Sequence, residues 1–215
     1  MDCDSIRAGV SITMKLAMKD GIVYEAVLTA MYMNEPYAAP VGFKKKGNFV
    51  EIKAYKNSRL FDVLLSCNVV VLNIVHKPQL FVKTAFKRER VLEFDANREI
   101  AAMHGLPVLA EGVGYVVLER ASVVDYGEHV IAVYEVKSTE FNNYAEVEPY
   151  TRCYGSLVEF AVYATKVRDV KDSEKKIQYA KKAEEVLEII NKTCNEEYID
   201  VAKRLWVLVN TWLGK

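Results

Sequence analysis

The stretch Tyr37–Asn73, YAAPVGFKKKGNFVEIKAYKNSRLFDVLLSCNVVVLN, decides the fold because its hydrophobic period changes on either side of a short polar loop. Alternating apolar residues predict strands, and apolar residues three and four apart predict a helix. The loop Lys56–Arg59 lies where a strand gives way to a helix. The elements expected here are a strand over Ala38–Lys44, a hairpin turn at Gly47-Asn48, a strand over Phe49–Tyr55, a helix over Ser58–Ser66 and a strand over Val69–Val75.

The flanking sequence extends the β-rich pattern in both directions and then becomes helical. Residues typical of strands and turns dominate up to about residue 155, and a helical period follows. The further elements expected are strands over Val23–Tyr32, Gly114–Val124 and Val130–Ser138, a turn at Asn34–Tyr37, and helices around Leu80–Phe86, Arg98–His104, Leu157–Val167, Glu174–Asn191 and Glu196–Leu213.

These elements predict a mainly β protein with α-helices. We expect a closed, antiparallel, Greek-key-like barrel of about six strands from about residue 20 to 150, followed by a C-terminal helical extension. The chain would then divide into residues 1–155 and 156–215. Leu157–Val167 is apolar all round, so we expect that helix to be buried.

The loop Lys56-Asn57-Ser58-Arg59 brings two cations, an amide and a hydroxyl to the start of a helix. Free backbone N–H groups and the helix dipole favour an anion at such a place, and the Arg59 guanidinium has donors that match phosphate oxygens. The alternative is a polar loop whose Asn57 or Ser58 merely caps the helix. The residues alone leave both interpretations open.

A neighbouring strand carries Ala39-Pro40-Val41-Gly42, which offers a flat surface without a large side chain. Proline donates no hydrogen bond to a sheet, and glycine lets another group approach closely. We therefore expect a planar ring to lie against exposed backbone here. An irregular edge strand is the alternative.

Composition limits the function classes. The 215 residues include 29 basic and 29 acidic side chains, and this balance argues against extensive nucleic-acid binding. The sequence has neither an apolar leader nor a run long enough to span a membrane, so we expect a cytoplasmic protein with no membrane partner. The scattered histidines predict no metal site. Free thiols are expected at all four cysteines: Cys3, Cys67, Cys153 and Cys194.

The order of the segments resembles the FMN-binding split-barrel superfamily of flavin reductases and pyridoxamine-phosphate-oxidase-like proteins. Within it, the chain resembles the mainly archaeal family known as domain of unknown function 447. The resemblance covers roughly residues 20 to 215 and depends on order and spacing rather than on one motif. The segments that carry it are Ala39-Pro40-Val41-Gly42, Tyr55-Lys56-Asn57-Ser58-Arg59, Asn73, Arg152, and Glu159 with Ala164-Thr165-Lys166.

The resemblance implies an FMN cofactor at the interface of a homodimer. Ser58 and Arg59 would hold the phosphate, and Asn73 would either bind the ribityl chain or tie down a neighbouring loop. Leu60 stands where many relatives have threonine, and either the phosphate is held less tightly or Asn57 supplies the missing contact. The cofactor-binding residues implied are Ala39, Pro40, Val41, Gly42, Tyr55, Lys56, Asn57, Ser58, Arg59 and Asn73.

Three functions follow from this resemblance. The first is an FMN-dependent oxidoreductase that takes hydride from NAD(P)H or another small donor, as flavin reductases do. The second is a flavin carrier or sensor without turnover, and the third is a split barrel that has lost its cofactor. Catalytic residues stay unidentified, since a flavin supplies its own redox chemistry and neither a catalytic triad nor a G-x-G-x-x-G motif is present.

Overall fold

The structure is a computed structural model that describes residues 17–86, 94–96, 101, 105–141 and 147–214. Within these residues six antiparallel strands close into a barrel in the order β1-β2-β3-β6-β5-β4. The expected mainly β barrel with helices is confirmed. The strands are β1 (Val23–Tyr32), β2 (Glu35–Lys46), β3 (Phe49–Tyr55), β4 (Val69–Ile74), β5 (Gly114–Asp125) and β6 (His129–Phe141).

Two-residue turns connect the first three strands. Met33 and Asn34 join β1 to β2 with φ angles of 53° and 61°, a conformation whose twist matches paired antiparallel strands. The turn expected at Asn34–Tyr37 is therefore wrong in position, because Tyr32 already pairs with Glu35. The turn at Gly47-Asn48 connects β2 and β3 as predicted.

Large side chains fill the barrel and belong to one continuous cluster. Tyr24, Phe43, Ile52, Leu72 and Tyr134, which come from five different strands, are each at most 1% exposed. Burying a side chain of this size contributes about 1.5–3 kcal/mol. This core keeps the barrel closed where backbone pairing between two of its strands is missing.

Pairing is missing between the first half of β2 and the end of β3. The two strands pair at four positions, and the pairing ends at Phe43↔Ile52. On their other sides β2 remains paired with β1 and β3 with β6. The segments Ala39–Gly42 and Lys53–Tyr55 therefore face each other across a gap, and their edges have no strand between them.

Five helices accompany the barrel in the described residues, and three of them form the C-terminal extension. Val158 and Val162, on the first helix of the extension, are 66% and 39% exposed, so the expectation that this helix is buried all round is wrong. The helix expected around Arg98–His104 lies mostly outside the described residues. The helices are α1 (Arg59–Ser66), α2 (Pro78–Phe86), α3 (Arg152–Asp169), α4 (Ser173–Thr193) and α5 (Glu196–Trp212).

A disulfide joins Cys153, in the first turn of α3, to Cys194, directly after α4. This corrects the expectation that all four cysteines are free. Cys67 is free and buried, and Cys3 lies outside the described residues. The pairing is invisible in the sequence because the two cysteines are 41 residues apart and meet only once the helices have packed.

The start of α3 also attaches the extension to the barrel. Arg152 Nε donates to Glu25 Oε1 at 2.8 Å, and Thr151 Oγ1 donates to the Val23 carbonyl at 2.8 Å. The division at residues 155 and 156 falls within the first turn of α3 and remains a proposal. Among the helices of the described residues, none has the length and hydropathy needed to cross a membrane.

Candidate functional site

The gap between β2 and β3 opens into a cavity of about 380 Å³, which we call the flat cleft. Beyond their last paired residues, the facing edges of β2 and β3 present unpaired backbone N–H and C=O groups to a ligand that lies between them. They suit the edge of a planar ligand that carries its own donors and acceptors. The cleft is lined by Tyr37, Ala39 and Pro40 of β2, Lys53, Ala54 and Tyr55 of β3, Ser58 before α1, Arg59 and Leu60 of α1, and Thr84 and Ala85 of α2.

The N-terminus of α1 closes one end of the flat cleft. Ser58 caps the helix, since its Oγ accepts a hydrogen bond from the Phe61 N–H at 3.3 Å and donates to the Tyr55 carbonyl at 2.6 Å. The N–H groups of Arg59 and Leu60 have no partner within the helix. The capping interpretation of Ser58 is thus confirmed, and the two remaining N–H groups leave the helix end suited to an anion.

Arg59 stands at the junction of two cavities. Its guanidinium carbon lies 5.6 Å from the ring centre of Tyr32 and 6.0 Å from that of Tyr37, within the range of cation–π attraction. No ion pair or hydrogen bond to a protein group engages this guanidinium in the described part of the chain. Its donors are therefore available to a ligand.

The second cavity, which we call the corner cleft, has a volume of about 520 Å³. It shares Ser58 and Arg59 with the flat cleft, so one helix start borders both cavities. Its other lining residues are Tyr32, Met33, Lys56, Asn57 and Asp62.

Tyr37 adds no negative charge beside Arg59. Burial raises the pKa of Tyr37 to about 12, although the positive charge of Arg59 opposes this shift. The phenol is therefore neutral at physiological pH and offers Arg59 a ring face rather than an anion.

Lys56 is less available than the sequence suggested. Its Nζ lies 2.7 Å from Asp125 Oδ2, and hydrogen bonds from Lys56 and from the Gly127 N–H hold the pKa of Asp125 below its usual value. The ammonium group thus ties the loop before α1 to the end of β5. Of the two cations in the loop, Arg59 is the one that forms no ion pair with an acidic side chain of the described residues.

Three predicted site residues lie apart from these two clefts. Val41 points into the barrel core, and Gly42 borders a third cavity on the outer face of the sheet. Asn73 is fully buried; its amide donates to the Val27 carbonyl and to Thr29 Oγ1, each at 2.9 Å. Its oxygen accepts the Leu109 N–H at 2.8 Å. The geometry of Asn73 favours the loop-fixing alternative.

The third cavity, which we call the basic cleft, lies between the sheet and the C-terminal helices and has a volume of about 490 Å³. Gly42, Lys44, Glu51 and Lys53 form part of its floor, and Arg152, Lys192 and Thr193 contribute from α3 and α4. Lys53 and Tyr55 border both the basic cleft and the flat cleft. The two cavities are therefore neighbours across the edge of β3.

Sequence reasoning missed several of these residues. Tyr32 and Tyr37 flank a turn, and only the register of the β1–β2 hairpin brings both rings to Arg59. Thr84 and Ala85 arrive from a helix distant in sequence, and no local pattern marks them. Among the described residues, no group of three or more histidine, cysteine or acidic side chains is arranged to hold a metal ion.

Comparison with known proteins gives one family match. Residues 24–143 match the family model described as protein of unknown function (DUF447), N-terminal domain. No curated protein matches the chain.

Several solved structures share the fold. A flavin reductase crystallised with NADP+ is 20% identical, with a TM-score of 0.50, over 62% of this chain and 92% of that one. An FMN-bound protein of the DUF447 family from Methanosarcina mazei is 22% identical, with a TM-score of 0.49, over 89% of this chain and 96% of that one. The styrene monooxygenase flavin reductase from Pseudomonas putida is 15% identical, with a TM-score of 0.48, over 56% and 81% of the two chains.

Proposed function

The chain belongs to the DUF447 N-terminal domain family, and we propose that it binds FMN and uses it as a flavin reductase-like oxidoreductase. The single observation that carries this proposal is the position of Ser58 and Arg59, which border both the flat cleft and the corner cleft. A planar ring in the first cavity can therefore be joined to a phosphate at the second through one short chain.

The ring is held by backbone in this proposal. The unpaired edges of Ala39–Gly42 and Lys53–Tyr55 bind the donors and acceptors at the rim of the isoalloxazine, apart from the Tyr55 carbonyl, which already accepts hydrogen bonds from Ser58. Pro40 adds a flat apolar surface without a donor of its own. The walls of the cleft also exclude part of the solvent. When bound, FMN supplies the hydride chemistry, and the protein supplies position and electrostatics.

The phosphate is held by α1 and Arg59. The free N–H groups of Arg59 and Leu60 and the partial positive charge of the helix end favour a dianion. The guanidinium of Arg59 adds charge-assisted hydrogen bonds, and its contacts with Tyr32 and Tyr37 limit its conformational freedom before binding. Leu60 supplies backbone here, so the missing threonine hydroxyl is not essential to the proposal.

A small-molecule electron donor such as NAD(P)H completes the reaction, and NADP+ is named with one of the flavin reductases of similar fold. We further propose a homodimer, which agrees with the exposed apolar side chains near the corner cleft, among them Met33 at 76% exposure. The cytoplasmic location stays a prediction, and the Cys153–Cys194 disulfide argues against a strongly reducing compartment.

The test is the colour and titration of the purified protein. We expect flavin absorbance in the protein as isolated, or quenching of FMN fluorescence on titration at micromolar concentration. Absence of binding at tens of micromolar would instead identify a barrel without a cofactor. With FMN bound, anaerobic bleaching by NADH or NADPH would support the oxidoreductase, whereas a stable yellow complex would identify a carrier or sensor.

A further inference from the structure

We propose that the basic cleft binds a second, pyrophosphate-bearing small molecule beside the flavin, and this inference rests on the proposed function of the flat cleft. Four cations border the cleft, Lys44, Lys53, Arg152 and Lys192, with Glu51 as the carboxylate of its lining. They come from four different elements, β2, β3, α3 and α4, so the fold rather than one charged segment brings them together.

Most of this positive charge has no neutralising partner among the described residues. Glu51 already has a partner in Lys46, whose Nζ lies 3.3 Å from Glu51 Oε1. Neither Lys44 nor Lys53 forms an ion pair within the described residues, and Lys53 instead lies 4.8 Å from the ring centre of Tyr55. Uncompensated cations around a concave surface create a local positive potential that attracts anions.

The two cations from the helices differ in their partners. Lys192 is 3.6 Å from Glu188 on the same helix, and both side chains are largely exposed, so this pair offsets little of the charge. Arg152 is paired with Glu25 at 2.8 Å. Arg152 Nε donates to Glu25, and within the described part of the chain the other nitrogens of this guanidinium, which carry further donors, have no such partner.

The disulfide gives this cleft a fixed wall. Cys153 follows Arg152 directly, and Cys194 follows Thr193, so the covalent bond joins the two chain segments that border the cleft from the helical side. Arg152 is further held by its ion pair with β1. Because the disulfide and this ion pair both restrain the wall, it loses little conformational entropy when a ligand binds.

The class of ligand follows from charge, size and neighbours. Three lysines whose charge is offset little or not at all among the described residues call for more than one negative charge, and a cavity of about 490 Å³ accommodates a molecule of cofactor size. The cleft meets the flat cleft at Lys53 and Tyr55, so a ligand anchored here by a pyrophosphate can extend an uncharged ring towards the flavin. A nicotinamide dinucleotide has these features, and inorganic pyrophosphate has the charged part alone.

The test is calorimetric titration of inorganic pyrophosphate and, separately, of NADP+ into the protein with and without saturating FMN. The variant is Lys44→Gln/Lys192→Gln, which removes two exposed cations outside the flat and corner clefts. Lys181→Gln/Lys203→Gln, which changes exposed lysines of α4 and α5 that border none of the three clefts, is the matched control. We expect at least about tenfold weaker binding in the variant, no change in the control, and weaker binding at higher salt.

FMN affinity measured on the same variants separates this inference from the proposed function. Unchanged FMN affinity in Lys44→Gln/Lys192→Gln is expected, and a marked loss would identify the basic cleft as the flavin phosphate site and overturn the inference. No binding of either probe, or binding insensitive to the variant, would also overturn it. If FMN does not bind but pyrophosphate does, with the expected loss in the variant, the anion site stands and the proposed function fails. Much tighter binding of NADP+ than of pyrophosphate would identify a dinucleotide as the ligand.

Discussion

Phe43 and Ile52 are the last residues at which β2 and β3 pair, and beyond them the two strands separate without losing their pairing to β1 and β6. The barrel therefore contains a built-in slot whose sides are backbone. A slot of this kind needs no polar or charged side chains. This explains why the neighbouring segment Ala39–Gly42 contains only small and apolar residues.

The first prediction concerns this slot. FMN is expected to slow amide hydrogen exchange in segments 39–42 and 53–55, because bound ligand replaces solvent at the unpaired edges. Exchange is measured by mass spectrometry with and without FMN. The paired segment Val130–Tyr134 of β6 is the internal control and should change little. Protection by FMN elsewhere, with none in the slot, would contradict the proposed ring position.

The second prediction separates the two roles considered for Asn73. Asn73→Ala removes the partner of the buried Leu109 N–H and is expected to lower the free energy of unfolding by about 2–4 kcal/mol, measured by urea titration. The folded fraction should bind FMN with unchanged affinity. Asn68→Ala is the control, since its exposed amide makes only a 3.4 Å contact with Glu119. A selective loss of FMN affinity in Asn73→Ala would restore its role in cofactor binding.

The third prediction concerns the disulfide. Cys153→Ala/Cys194→Ala opens a loop of 41 residues, and loop-closure entropy predicts a loss of roughly 2–4 kcal/mol in unfolding free energy. Dithiothreitol should destabilise the unmutated protein by a similar amount and leave the double variant unaffected. Equal sensitivity of both proteins to the reductant would contradict this, because the double variant has no Cys153–Cys194 bond left to reduce.

The fourth prediction follows from the raised pKa of Tyr37, which is buried and ionises at about 12 instead of its usual 10. Below pH 10 both folded and unfolded chains keep the phenol neutral. As the pH rises from 10 towards 12 the unfolded state releases this proton first, so folded stability falls. Between pH 9 and pH 11 the unmutated protein should lose about 1.4 kcal/mol that Tyr37→Phe retains. Parallel pH profiles for the two proteins would contradict this.

The strands were predictable where local chemistry alone determines them. Val23–Tyr32 was expected with the observed bounds, and the turn at Gly47-Asn48 was marked by its glycine. The other turn was misplaced because Met33 adopts a positive φ angle, which its residue type does not indicate. Local sequence cannot reveal that choice, since the strong pairing of the flanking strands imposes it.

The candidate site was predictable in its centre and not at its margins. The sequence predicted a helix start at Ser58 and Arg59, and the structure has the helix begin there, at the border of two cavities; their role in binding a ligand stays a prediction. The position of Arg59 near the Tyr32 ring and the ion pair of Lys56 with Asp125 depend on residues that are distant in sequence. The exposed face of α3 was mispredicted because apolar residues on all sides of the predicted helix were taken to mean that the whole helix is buried.

The central claim is that Arg59 holds the phosphate of FMN. The measurement is the dissociation constant of FMN and of riboflavin, which lacks the phosphate, for the unmutated protein and for Arg59→Ala, with Arg204→Ala on the exposed surface of α5 as the control. The loss of charge-assisted hydrogen bonds predicts about ten- to a hundredfold weaker FMN binding, with riboflavin affinity nearly unchanged and the control like the unmutated protein. Equal weakening of FMN and riboflavin in Arg59→Ala would contradict the claim, because Arg59 would then shape the cavity rather than bind phosphate.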